Sequence, residues 1–292
     1  MPGPTRIGVA KFSFALLPAL CCIFVPFTHV FAQSERPSSS ATPARVLYLG
    51  NQDYAWTGLG ALSAIPAQLR FRAMDPVDTN ALDRNHLWPM DRWAAGYYSP
   101  SAALTSDFLV APLIGLPIAA TALEALRGRQ SWGSAFSDGV IFAEALVISS
   151  SLDLLVRSTA VHPRPFVYNR NTPASERLKS EAAGSFYSGH SNAAFLSAVY
   201  FSYTYSLRNP GSEHLGAVWA GTLGAAALVA GLRVTAGKHY LSDVAVGAAA
   251  GSFFGWVFPY MHKKRAGGSG DPGGLGLRLN GMGPYPLLTW TF

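Results

Sequence analysis

Five apolar stretches, at about 107–126, 136–156, 192–207, 215–232 and 242–261, alternate with polar joints along the chain after its first third. Their lengths suit helices that either cross a bilayer or fill a core, the third being on the short side. Glycine and alanine crowd the last two, where Gly221, Gly224, Gly231, Gly247, Gly251 and Gly255 are spaced to let helices approach closely. Residues 12–32 form a further apolar run without acids, preceded by Arg6 and Lys11, and Val30-Phe31-Ala32 fits a small-residue cleavage rule. Residues 1–32 therefore read as a signal peptide or an N-terminal membrane anchor. A polar Ser/Pro/Ala linker follows to residue 45, and 46–106 mix Asp, Asn, Pro and Trp without a sustained period. The pattern divides the chain into a linker and pre-domain at 33–106, a helical domain at 107–265 and a tail at 266–292. In the tail, GGSGDPGG reads as a flexible linker, and LGLRLNG and PLLTWTF alternate as two short strands or a hairpin would. A weakly packed tail is the alternative.

The fold class that follows is all-α: a bundle of five to six helices with its functional residues at one end. Only 13% of residues are charged, about half the usual soluble share, and 49% are hydrophobic. A membrane-embedded bundle is favoured over a secreted globular one, mainly by the grouping of basic residues on one face of the bundle. Against it, mean hydropathy is only +0.20, and Glu144 and Asp153 interrupt the second apolar stretch. A charge at the centre of a membrane helix costs roughly 2.5–3.5 kcal/mol on insertion scales, so Glu144 must face a helical partner or water. Cys21 and Cys22 both lie in the N-terminal run, which leaves the body without a disulfide framework or thiolate metal site. The net charge of +6 comes from scattered positives, and nucleic acid is not an expected partner.

Three short blocks carry the candidate chemistry. RSTAVHPRP contains Arg157 and Arg164, YSGH contains Ser188, Gly189 and His190, and RVTAGKHYLSD contains Arg233, His239 and Asp243. Guanidinium forks and backbone N–H groups suit the charges and peripheral oxygens of a phosphomonoester. Ser188-Gly189-His190 precedes an apolar run, so it is a plausible helix start whose free N–H groups favour an anion. Gly189 would let the backbone approach a phosphate closely. If a helix begins at or before His239, Asp243 lies four residues on, over the same face. A carboxylate there can accept from one ring nitrogen and leave the other free to attack. His162 reads as a structural loop residue, and His29, His86, His214 and His262 show no partner pattern.

Together the blocks resemble the signature of the type-2 phosphatidic acid phosphatase superfamily, which also contains vanadium haloperoxidases and bacterial acid phosphatases. The resemblance runs from about Ser134 to Tyr260. It implies that His239 is a nucleophile forming a phosphohistidine, that Asp243 holds its imidazole, and that His190 protonates the leaving group and then activates water. It assigns the phosphate to Arg157, Arg164, Ser188, Gly189 and Arg233, and it implies no metal and no other cofactor, vanadate entering only for a haloperoxidase. Arg157 stands where the family usually has lysine, Tyr187 replaces a proline and Leu232 replaces a serine. The first keeps the charge but exchanges a compact ammonium for a planar fork, and does not favour the haloperoxidase branch.

Alternating helices put both site-bearing junctions on one face. Arg127, Arg129, Arg208 and Lys263-Lys264-Arg265 then fall on the other, the asymmetry expected if the site faces the periplasm from a bacterial inner membrane. The expected activity is hydrolysis of a phosphomonoester or diphosphate, with a membrane lipid phosphate as substrate. A secreted periplasmic acid phosphatase acting on small phosphoesters, a vanadium-dependent haloperoxidase and a catalytically inactive anion-binding membrane protein are the competing expectations.

Overall fold

The computed structural model describes residue 47 and residues 49–159, 161–263, 278–280 and 287–289. The proposed signal or anchor segment, the Ser/Pro/Ala linker, Lys264, Arg265 and most of the tail lie outside the described residues. Among the described residues seven α-helices form the body: α1 (Asn51–Arg72), α2 (Pro100–Leu126), α3 (Trp132–Thr159), a single turn α4 (Ala174–Arg177), α5 (Gly189–Arg208), α6 (Leu215–Thr235) and α7 (Leu241–His262). In the tail, β1 (Arg278–Asn280) pairs antiparallel with β2 (Leu287–Thr289).

The five apolar stretches are α2, α3, α5, α6 and α7, each extended by a few residues of polar cap. Ser99 accepts from Ala102 N and Pro100 occupies the first turn of α2, a position where the missing proline N–H costs nothing. Ser188 accepts from Ser191 N and starts α5. The helix over Asn51–Arg72 had no sustained period to announce it. Its apolar residues serve two faces, one against α3 and one outward, and Pro66 lies within it.

Helix α5 is the centre of the bundle, packed against α7, α6, α2 and α3. A Cβ on Gly247 would meet Ser188 O at 2.5 Å, and at Gly251 and Gly255 it would run into the carbonyls of Asn192 and Leu196. This glycine row therefore sets how closely α7 approaches α5. The glycines of α6 do no such work: around Gly221, Gly224 and Gly231 a Cβ would find open space.

The outer faces are apolar. Phe108 is 70% exposed and Leu126 71%, and Tyr54, Trp56, Leu59, Leu62, Ile65 and Leu69 line the outward face of α1. Four helices, α2, α3, α6 and α7, are long and apolar enough to cross a membrane, and an apolar belt of this extent suits lipid rather than water. Some charges within the bundle are paired internally. Asp138 of α3 is buried against Arg208 and accepts from Thr121 at 2.9 Å. Arg208 is thus tied to a buried carboxylate, and Arg127 and Arg129 both reach Glu124. The basic count opposite the site is weaker than the sequence alone suggests.

Residues 73–99 and the α3–α5 connection close over one end of the bundle. Asp91 accepts from Ser242 N and Oγ at the start of α7. Leu87, Ala94 and Ala95 pack with Ala230, Val234, Tyr240 and Val244. Backbone bonds from His162 N to Ala183 O and from Arg164 N to Ala182 O fold the connection back on itself.

Candidate active site

A cavity of about 430 Å³ opens at this end, lined by residues of all three blocks. Arg157, Arg164, Gly189, His190, Arg233 and His239 line it, joined by Lys238 and, from outside the blocks, Gln68, Phe71, Asp107 and Glu181. Each cation is held by a different device. Arg157 ends α3 and bonds Asp153, one turn back, at 2.6 Å, with Phe71 under its guanidinium. Arg164 is 6% exposed, its place fixed by the connection that folds back through Ala182. Burial, then the neighbouring Arg157 and Arg233, lower its pKa to about 10, which leaves it charged at neutral pH. Arg233 reaches in from the last turn of α6 and bonds Ser106 Oγ at 2.9 Å and Asp107 Oδ1 at 3.0 Å.

Ser188 and Gly189 sit at the start of α5. A Cβ on Gly189 would meet Asp153 Oδ2 at 2.8 Å, so only glycine lets the helix start lie against the Asp153–Arg157 pair. His190 follows, half-buried, with Nε2 2.8 Å from Asp107 Oδ1. Burial, then the Arg233 charge, depress its pKa to about 4, against the opposing pull of Asp107.

His239 is buried and stands in the turn between α6 and α7, one residue before the cap of α7. Gly237, with φ +71°, makes that turn, and a Cβ there would collide with the Tyr97 carbonyl. The ring and Asp243 are therefore not on one helical face, as expected from their spacing. Nδ1 lies 2.8 Å from Ser185 O but 3.8 Å from Asp243 Oδ2, too far for a hydrogen bond. Asp243 instead accepts from Ser185 Oγ at 2.5 Å and from Tyr240 N at 2.9 Å, capping α7. Ser185 thus lies between the two, its hydroxyl on Asp243 and its carbonyl on the His239 ring. With Nδ1–H donated to the carbonyl, Nε2 keeps its lone pair. Burial pushes the His239 pKa down to about 3, so the ring is neutral. His162 lies beside this group, Nδ1 3.6 Å from Asp243 Oδ1.

Asp107, Ser106 and Ser185 escaped the sequence reading because they lie outside the local spacings that defined the blocks. Asp153 was legible in principle as the i,i+4 partner of Arg157.

Residues 138–266 match the family model of the PAP2 superfamily. That stretch runs from within α3 past the end of α7 and carries both histidines and all three arginines. Members of that superfamily are generally phosphatases, and the four apolar helices of this chain point to a membrane protein. The chain matches no curated protein and no solved structure. Helices α1 and α2, and with them Asp107, lie outside the matched residues.

Proposed function

We propose that the protein hydrolyses the phosphate of a membrane lipid through a phosphohistidine on His239, without a metal in the reaction. The observation that carries the lipid reading is a second, apolar groove of about 350 Å³ lined by Ala64, Ile65, Gln68, Leu69 and Leu154. It shares Gln68 and Leu154 with the polar cavity. A phosphate seated among the arginines would thus have an apolar channel beside it for an acyl or prenyl chain, opening on the outward face of α1.

In this mechanism Nε2 of His239 attacks phosphorus while the bond to the leaving oxygen breaks and His190 gives that oxygen its proton. Neutral His190 then takes a proton from water, whose oxygen attacks the phosphohistidine, releasing inorganic phosphate and restoring both rings. Arg157, Arg164, Arg233 and the N–H groups at Gly189 would hold the phosphoryl oxygens and offset the charge that develops on them. Asp107 occupies part of this anion site in the structure, a carboxylate oxygen on both Arg233 and His190. An arriving phosphate would take over its place at Arg233. With Arg127, Arg129 and Lys263 at the opposite end, the cavity would face the periplasm.

The test is phosphate release by the purified protein from lipid phosphates in mixed micelles and from soluble phosphoesters. Faster turnover of the lipid, from protein that stays in carbonate-washed membranes, supports the reading. Turnover of soluble esters alone, by protein recovered without detergent, would replace it with a secreted acid phosphatase. Anion binding without turnover would make the protein a binding module.

A further inference from the structure

At the end of the bundle remote from the cavity, residues from three helices converge: Asp53 in the first turn of α1, Glu144 midway along α3 and His262 at the end of α7. The phosphate chemistry uses none of them. Glu144 and Arg157 share α3, and their 13-residue separation corresponds to roughly 20 Å of helix. One donor atom from each of the three lies within 4.8 Å of the others. His262 Nε2 is 3.3 Å from Asp53 Oδ2 and 3.9 Å from Glu144 Oε2.

Two features point to a ligand. Glu144 is 3% exposed, and its Oε2, turned into the cluster, has no hydrogen-bond partner. His262 Nδ1 lies 2.7 Å from Phe258 O, so Nδ1 donates there and Nε2 presents a lone pair to the two carboxylates. Fixing one ring nitrogen on a carbonyl is how proteins orient a metal-binding histidine. Charge leads the same way. Two ionised carboxylates buried beside one imidazole are a costly arrangement away from water unless a cation offsets their charge. A divalent cation with a neutral ring balances it.

We infer that Asp53, Glu144 and His262 bind a divalent transition-metal ion of the Zn²⁺ class. An imidazole nitrogen with two carboxylate oxygens suits such an ion better than Mg²⁺ or Ca²⁺, which prefer all-oxygen shells. Tetrahedral arms of about 2.0–2.1 Å place ligand atoms about 3.3 Å apart. The His262–Asp53 separation already has that value, and the Glu144 oxygen, 3.9 Å from Nε2, has to draw in towards the ion. The metal is structural. It staples α1, which supplies Gln68 and Phe71 to the cavity, to α3 and α7. This inference is independent of the phosphatase reading.

The experiment uses the full chain in detergent, stripped with a chelator, then given one Zn²⁺ or Co²⁺ per chain and desalted. The wild type should retain one metal, gain several degrees in Tm with Zn²⁺ at about 100-fold excess over Kd, and show visible d–d bands with Co²⁺. Glu144→Gln and His262→Gln should each lose the retained metal and the Tm gain. Stripped wild type should still turn over a soluble ester at low temperature, because the metal is remote from the cavity. Absence of retained metal in the wild type would overturn the site. So would an undiminished Tm gain in both variants, or loss of low-temperature turnover on stripping with Tm unchanged. Should a variant fail to fold, the Co²⁺ spectrum of the wild type decides: bands typical of one nitrogen and oxygen donors support the site, and their absence rejects it.

Discussion

The Asp107 carboxylate sits 2.8 Å from His190 Nε2 and so holds the imidazole that points toward the phosphate cavity. Asp107 comes from α2 and His190 from α5, and Arg233 of α6 closes the group on the same Oδ1 at 3.0 Å. Asp107→Asn should keep the fold, since Asp107 is 54% exposed, yet lower kcat by roughly ten- to a hundredfold. The loss arises because the amide no longer favours the protonated ring. It should shrink for nitrophenyl phosphate, whose leaving group needs little protonation. Equal losses for both ester types would show that Asp107 does not act through His190.

The pH dependence follows from the same contact. In the free site the His190 pKa is depressed to about 4 and that of His239 to about 3. Catalysis needs His190 protonated and His239 neutral, so kcat/KM should fall as pH rises past the His190 value. A bound phosphate dianion favours the imidazolium, so the corresponding limb of kcat should lie at higher pH. Profiles of kcat and kcat/KM over pH 3–9 check this, and His190→Ala should remove the limb from both. Coincident limbs, or a limb that survives the substitution, would assign it elsewhere.

His239→Ala should abolish turnover and any covalent phosphoenzyme. His190→Ala should slow release from alkyl esters by about 10²–10⁴-fold. It should also accumulate acid-labile phosphohistidine on rapid quenching, because dephosphorylation loses its base. Asp243→Asn and Ser185→Ala should both lower kcat with little change in KM, the first more severely. Asp243 both caps α7 and anchors the Ser185 hydroxyl, whereas the carbonyl that holds His239 survives in the alanine variant. Label recovered on His190 or on a serine would reverse the roles of the two rings.

Replacing Arg164 or Arg233 by alanine should cut turnover by at least about a hundredfold, the scale of losing one transition-state donor. Arg157→Ala should in addition lower Tm, because it strands the buried Asp153 carboxylate. Arg157→Lys should retain both stability and much of the rate. Normal kinetics in the Arg164 and Arg233 variants would remove them from the phosphate cradle.

Gly251→Ala should destabilise the protein by about 1–3 kcal/mol through its clash with the Asn192 carbonyl. Gly224→Ala, in open space, should be neutral or stabilise by up to about 1 kcal/mol. Thermal unfolding in detergent compares them. Equal effects would mean that the α5–α7 contact is looser than the structure has it.

The amino-acid sequence by itself determined the five bundle helices, because each is a long apolar run closed by polar caps such as Ser99 and Ser188. It also determined the site's local parts, because Arg157, Arg164, Ser188-Gly189-His190, Arg233 and His239 sit in short blocks whose chemistry is readable from type and spacing. Relations between distant segments were not readable there. Helix α1 carries no single-faced period, being apolar both toward α3 and outward. The spacing of His239 and Asp243 suggested a direct pair, yet a left-handed glycine at 237 takes the histidine off the helix and makes Ser185 the intermediary. Asp107 meets His190 from 83 positions away in sequence, and Asp53, Glu144 and His262 meet across more than two hundred. A buried carboxylate acquires its meaning from whatever charge the fold brings to it, and only the packing of one helix on another decides that.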